Sequence, residues 1–206
     1  MKKPVERVFV VDDDPAVRKS LWRLLRSRGF EVTTFASAEE FLERLEPDAG
    51  GCAVLDVAMP GLDGLALQQR LAERHVPLPI VFLTGRGDIP ASVKAMKAGA
   101  EDFLTKPVDE RVLFEALRRA LEGGRKAREA ARRLDDARGR LDALTPRERE
   151  VLDGVVAGRL NKQIAGDLGI SEKTVKVHRA RVMEKLGAGS VAELVRLADS
   201  AKPRGS

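Results

Sequence analysis

Four groups of polar residues stand out by where they fall. Asp12 and Asp13 follow the apolar run Arg7-Val-Phe-Val-Val11, and Asp56 follows Cys52-Ala-Val-Leu55. Thr84 closes Pro79-Ile-Val-Phe-Leu-Thr84, and Lys106 follows Glu101-Asp-Phe-Leu-Thr105. Short apolar runs backed by turn residues read as strands buried on both faces, as in a parallel sheet. Parallel strands gather their carboxyl ends at one edge, which is where open α/β sheets hold ligands. A lone carboxylate there, such as Asp56, is a metal ligand, a nucleophile or a satisfied core acid. The company it keeps narrows the choice. Three carboxylates close together repel, and a dication relieves them; Mg²⁺ suits an all-oxygen site that keeps several waters. Lys106 offers a mobile point charge for an anion, and Thr84 a hydroxyl donor. Nucleophile, cation site, ammonium and hydroxyl are together the parts for holding a phosphoryl group on Asp56.

The elements that must position these residues alternate regularly. After Asp12-Asp-Asp14, Pro15 starts a helix, with Leu21, Leu24 and Leu25 at helical spacing until Gly29. Glu31–Phe35 alternates as a strand, Ala38–Leu45 reads as a helix, and Leu65–Arg74 is the helix beyond Asp56. A further helix, capped by Asp88 with Pro90 near its start, runs through Met96, and Glu110–Leu121 is the fifth. Five strand–helix alternations in roughly 120 residues, joined by right-handed crossovers, predict one doubly wound parallel sheet with helices on both faces.

Gly123-Gly124 is expected to end this domain. Arg125–Leu144 is rich in charge and alanine: Ala127, Leu134 and Leu141 recur every seven residues, with Ala130, Ala137 and Leu144 three beyond each. That pattern permits a helical or weakly coiled-coil linker, and equally a solvated helix. Thr145-Pro-Arg-Glu148 is a capping box with Pro at the first helical position, and it opens an all-α module with helices expected at 146–157, 161–168, 172–186 and 190–199. The expected division is 1–122, 123–143 and 144–206.

Within the second module, 161–168, the turn at Gly169-Ile-Ser171 and 172–186 form a helix-turn-helix, whose second helix enters the DNA major groove. Ile164, Ala165, Leu168, Ile170, Val175 and Val182 are spaced to pack the two helices together. Lys173, Thr174, Lys176, Val177, Arg179 and Arg181 are left for DNA, and His178 is either a phosphate contact or a packed ring. Lys173 and Thr174 suit phosphates, which position a protein without reading sequence.

Composition agrees with this division. Residues 1–122 hold 18 Lys+Arg against 20 Asp+Glu, net −2; residues 123–206 hold 19 against 12, net +7. A basic second half suits a polyanionic partner. No apolar run approaches the roughly 18–20 residues of a membrane helix, and the single cysteine, Cys52, excludes an internal disulfide and suits a reducing cytoplasm.

Residues 5–122 resemble the receiver domain of two-component response regulators. The motifs that carry the resemblance are Val10-Val-Asp-Asp-Asp-Pro15, Leu55-Asp-Val-Ala-Met-Pro-Gly61, Leu83-Thr-Gly85 and Thr105-Lys-Pro107. Residues 144–199 resemble the LuxR-type DNA-binding domain through Leu144-Thr-Pro-Arg-Glu148, Asn161-Lys-Gln-Ile-Ala165, Thr174-Val-Lys-Val-His178 and Lys185-Leu186. Together they point to the NarL/FixJ family. The resemblance implies a (βα)₅ receiver in strand order 2-1-3-4-5, with Asp56 as phosphoacceptor. Mg²⁺ would be held by Asp12, Asp13, Asp56 and the Ala58 carbonyl, with Thr84, Lys106 and the aromatic Phe103 as the switch. It also implies a sensor histidine kinase as donor, a phosphorylation-driven homodimer through Val93, Met96 and Lys97, and binding to double-stranded promoter DNA. RNA polymerase is a candidate further partner. In relatives the positions of Lys176, Val177 and Ala180 meet base edges; Ala180 stands where a basic residue is frequent, which shifts weight to Arg179 and Arg181.

Two rivals are disfavoured. Haloacid-dehalogenase-type phosphatases need a second acid two residues after the nucleophile, and Ala58 stands there, so a regulator and not an enzyme is expected. A regulator indifferent to phosphate would usually lack Asp13, Asp56, Thr84 or Lys106, and all are present. Ala58 and Arg86 are the side chains expected to tune self-dephosphorylation.

Overall fold

The computed structural model describes residues 6–46, 49–85 and 89–201. The chain divides after Arg128 into two compact units. The first carries β1 (Arg7–Val11), α1 (Pro15–Ser27), β2 (Glu31–Phe35), α2 (Ala38–Arg44), β3 (Cys52–Leu55), α3 (Gly64–Glu73), β4 (Ile80–Thr84), α4 (Ile89–Lys97), β5 (Asp102–Thr105) and the start of α5 (Glu110–Asp142). The second carries the end of α5, then α6 (Pro146–Val156), α7 (Asn161–Leu168), α8 (Glu172–Leu186) and α9 (Val191–Ala201). The expected Asp88 cap and Arg86 lie outside the described residues. No described helix is long and apolar enough to cross a membrane.

The five strands are parallel in the order β2-β1-β3-β4-β5. Alternate strand residues feed two cores, which explains why the central strands are apolar without interruption. Phe9, Val11, Leu55 and Phe82 point to one face and pack with Phe41 of α2, Leu67 and Leu71 of α3 and Ala95 of α4. Val8, Val10, Val54, Val81 and Leu83 point to the other, against Leu21 and Leu25 of α1 and Leu113 and Leu117 of α5. Cys52 lies in this second core as a free thiol, and burial pushes its pKa up to about 12, so it is inert. The third cluster belongs to the second unit, where Leu144, Val151, Leu152, Val155, Ile164, Val175, Val182, Leu186 and Leu194 close a small all-α core.

One expectation is corrected. The fifth helix does not stop at Leu121: α5 runs 33 residues in all, from Glu110 through Gly123-Gly124 to Asp142, so the segment beyond the glycines takes the helical form its repeat permits. A Cβ on Gly124 would lie 2.6 Å from Pro79 Cγ, so glycine serves close packing of α5 on the segment ahead of β4. Gly123 meets nothing within 4 Å, and one exposed helical glycine costs only about 1 kcal/mol, too little to stop a long helix. The seven-residue repeat is covered only in its second half. Ala127 and Ala130 are exposed, whereas Ala137 and Leu144 are buried and Leu141 packs on the third core.

Candidate phosphoacceptor and nucleic-acid sites

The acidic edge is built by backbone pairing. The Asp56 amide donates to the Val11 carbonyl (2.9 Å), continuing the β1–β3 register by one residue and setting Asp56 beside Asp12. The Lys106 amide donates to the Thr84 carbonyl (2.7 Å), which does the same for β4 and β5. Lys106 Nζ then reaches Asp12 Oδ2 at 2.6 Å and Asp56 Oδ2 at 3.1 Å. Asp12, Asp13 and Asp56 each bring a carboxylate oxygen within 4.8 Å of the others. Asp12 and Asp56 are buried and Asp13 is exposed.

Burial raises the pKa of Asp12 above the usual carboxylate value, although the hydrogen bonds from Lys106 and the Asp14 amide pull the other way. Burial alone would lower the Lys106 pKa; hydrogen bonds and charge from Asp12 and Asp56 outweigh it and hold the ammonium more firmly protonated than usual. Three carboxylates against one ammonium leave two negative charges. At 4.8 Å each carboxylate pair repels by about 3.5 kcal/mol at an effective dielectric of about 20. Asp56 Oδ1 is buried with no hydrogen-bond partner among the described residues. An oxygen-only cluster with a residual charge of two and an orphaned carboxylate oxygen suits a divalent cation, so the residues fit the group.

Thr84 is buried at the end of β4. Phe103 is half-buried on β5, its ring centroid 5.9 Å from that of Phe82 at an angle of 41°. Ala58 is exposed two residues beyond Asp56, in the loop before α3. Val93, Met96 and Lys97 are all exposed on α4, whose Ala95 faces the core. The Lys106–Pro107 peptide is cis.

Two further residues hold the site and were not legible beforehand. Arg18 Nη1 donates to the Asp12 carbonyl at 2.6 Å, and Glu39 Oε1 accepts from the Leu62 amide at 2.9 Å. In sequence Arg18 is one of several basic residues of α1, and Glu39 is one acid in the first turn of α2. Nothing local separates either from a solvated charge.

In the second unit, Ser171 caps α8 by accepting from the Thr174 amide, and Gly169 ends α7 in the left-handed conformation. Val175, Val182 and Leu186 face inward. Lys173, Lys176, Val177, Ala180 and Arg181 are exposed, with Val177 unusually so for valine at 45%. Thr174, His178 and Arg179 are half-buried. The Thr174 hydroxyl lies 2.8 Å from that of Ser171, and Arg179 Nη1 donates to Asn161 Oδ1 at 3.1 Å. His178 Nδ1 is buried with no hydrogen-bond partner among the described residues. The second helix is locked at its other end: Lys185 Nζ meets the buried Glu148 carboxylate at 2.6 Å, and Glu148 completes the capping box by accepting from the Thr145 amide. The Lys185 hydrogen bond, with that of Thr145, lowers the Glu148 pKa to about 2.

A doubly wound sheet with this acidic edge, joined to a helix-turn-helix module, defines a response regulator that binds DNA. Family comparison agrees: residues 8–118 match the response regulator receiver domain and residues 142–198 match the bacterial regulatory proteins of the luxR family. The chain is 47% identical to Nodulation protein W of Bradyrhizobium diazoefficiens over 94% of its own length and 85% of that protein's. It is 46% identical to the transcriptional regulatory protein FixJ of the same organism, over 93% of each. The solved structure of the response regulator StyR superposes with a TM-score of 0.88 at 49% identity, covering 95% of this chain and 98% of that one. The chain belongs to the NarL/FixJ family of response regulators and is a phosphorylation-dependent transcriptional regulator.

Proposed function

We propose that residues 1–122 receive a phosphoryl group on Asp56 from a sensor histidine kinase in the cytoplasm, and that this promotes dimerisation and binding of promoter DNA by residues 144–206 through the linker 123–143. The observation that carries this reading is the asymmetry of the Asp56 carboxylate. Lys106 holds Oδ2, while Oδ1 is buried with no hydrogen-bond partner among the described residues, so the carboxylate keeps one oxygen that the protein does not engage. Attack forms the new P–O bond as the P–N bond to the donor imidazole breaks, and the imidazole takes up a proton as it leaves. Asp12, Asp13, Asp56 and the Ala58 carbonyl would hold Mg²⁺, which when bound shields the charge on the phosphoryl oxygens.

The acyl phosphate adds negative charge and strong acceptors at one point. Lys106 pairs with the new oxygens, the Thr84 hydroxyl turns to donate to them, and Phe103 moves inward beside Phe82. The exposed face of α4, with Val93, Met96 and Lys97, then joins a second copy. In the paired second units, Lys176, Val177 and Arg181 meet base edges. Lys173, Thr174, His178 and Arg179 hold the backbone, Arg179 after leaving Asn161, and RNA polymerase is the further partner of the bound dimer.

Light scattering of the full chain, with and without Mg²⁺ and beryllofluoride, tests the scheme. A monomer that becomes a dimer, and stays monomeric when Asp56→Asn is made, is expected; an unchanged mass refutes phosphate-driven dimerisation.

A further inference from the structure

The loop between Asp56 and α3 is held from outside its own motif. Its Leu62 amide donates to Glu39 Oε1 at 2.9 Å, across from α2 and 23 residues away in sequence. Gly61 lies against the same carboxylate: its φ is +77°, and a Cβ there would come within 2.8 Å of Glu39 Oε1. Glu39 is itself fixed. Ser37 caps α2 by accepting from the Glu40 amide, and Glu40 Oε2 accepts from the Ala36 amide, so the first turn of α2 is closed. Backbone hydrogen bonds, that of Leu62 among them, keep the Glu39 carboxyl more acidic than usual. At its other end the loop is closed by the Gly64 amide on the Val57 carbonyl (3.0 Å) and by Asp63, which caps α3. Between these ties lies Ala58.

We propose that Glu39 is a positioning residue for phosphoryl acceptance: by tethering Leu62 and seating Gly61, it sets the backbone at Ala58 for the divalent cation. This rests on the phosphoacceptor reading above. An ionised acceptor makes the stronger hydrogen bond, and outer partners of a metal site commonly change affinity by about 10–100-fold when removed. Glu39 is exposed, which places it at the lower end of that range.

The test is calorimetric titration of the full chain with Mg²⁺, beside phosphoryl uptake from acetyl phosphate and a thermal midpoint. Glu39→Ala should weaken Mg²⁺ binding about tenfold and slow uptake with the midpoint held. Glu39→Gln, whose amide oxygen can still accept from Leu62, should stay within about twofold of wild type. Glu43→Ala removes an exposed acid from the same helix and should change neither. Wild-type affinity in Glu39→Ala overturns the proposal. So does Glu39→Gln falling as far as Glu39→Ala, because charge and not the tether would then be responsible. A wild-type chain that binds no Mg²⁺ and takes up no phosphoryl group overturns both this proposal and the phosphoacceptor reading. Normal wild-type uptake with an unaffected Glu39→Ala overturns the tether alone.

Discussion

Gly64→Ala sets two effects against each other beside the phosphoacceptor. Gly64 is the first residue of α3, where alanine would be the better helix former by about 1 kcal/mol. The added Cβ, however, would overlap the Asp56 carbonyl oxygen and lie 3.1 Å from both the Asp56 carbonyl carbon and Phe82 Cε1. Neither neighbour is free to yield. The Asp56 amide is bonded to Val11, and the Phe82 side chain is fully buried. Relief requires the start of α3 to move away, which also strains the Gly64–Val57 hydrogen bond. Overpacking of this kind costs about 1–3 kcal/mol, so the clash exceeds or cancels the propensity gain. The net cost is then about 0–2 kcal/mol, and for a unit of this size each kcal/mol lowers the thermal midpoint by roughly 4 °C, giving a fall of up to about 8 °C. Because the start of α3 would be pushed off the Asp56 carbonyl, shifting the loop that leads from Asp56, phosphoryl uptake from acetyl phosphate should slow as well. Gly139→Ala is the contrast: nothing lies within 4 Å of a Cβ there, and the change should stabilise α5 by about 0.5–1 kcal/mol. Calorimetry on both variants decides the matter. A Gly64→Ala protein with unchanged midpoint and uptake would refute the close approach of α3 to Asp56.

Two further predictions concern the second unit. The Glu148 pKa is depressed in the folded state to about 2 from an ordinary 4.5, so its stabilisation is complete above about pH 4.5 and is lost as pH falls toward 2. Lys185→Met removes the main cause and should shrink the acid-induced fall in midpoint across that window; identical acid profiles in the two proteins would contradict this. In DNA binding, Lys173→Ala should lower affinity evenly across operators and reduce the salt slope by about one, whereas Val177→Ala should alter base preference with the slope unchanged. Electrophoretic or anisotropy titrations at several salt concentrations on varied operators separate the two outcomes.

Much of the molecule was legible locally. Uninterrupted apolar runs ending in Asp12, Asp56, Thr84 and Lys106 follow directly from strands buried on both faces, and both cores are there. The capping box at Thr145-Glu148 and the inward set Ile164, Ala165, Val175 and Val182 depend on neighbours only a few residues apart, so periodicity and capping determine them. Distances across the chain were not legible. That Lys106 bridges Asp12, 94 residues earlier, and Asp56 was decided by the strand order, which brings the ends of β1, β3 and β5 within reach of one ammonium. The Gly123-Gly124 pair reads as a stop because glycine weakens helices locally, yet packing of Gly124 on Pro79 carries α5 through it. Glu39 and Arg18 look like any surface charge until the fold places the Leu62 amide and the Asp12 carbonyl beside them. Residue types and their periodicity determined which groups could do chemistry; only tertiary packing decided which of them meet, because a side chain's partner across the sheet is set by topology and not by its neighbours in sequence.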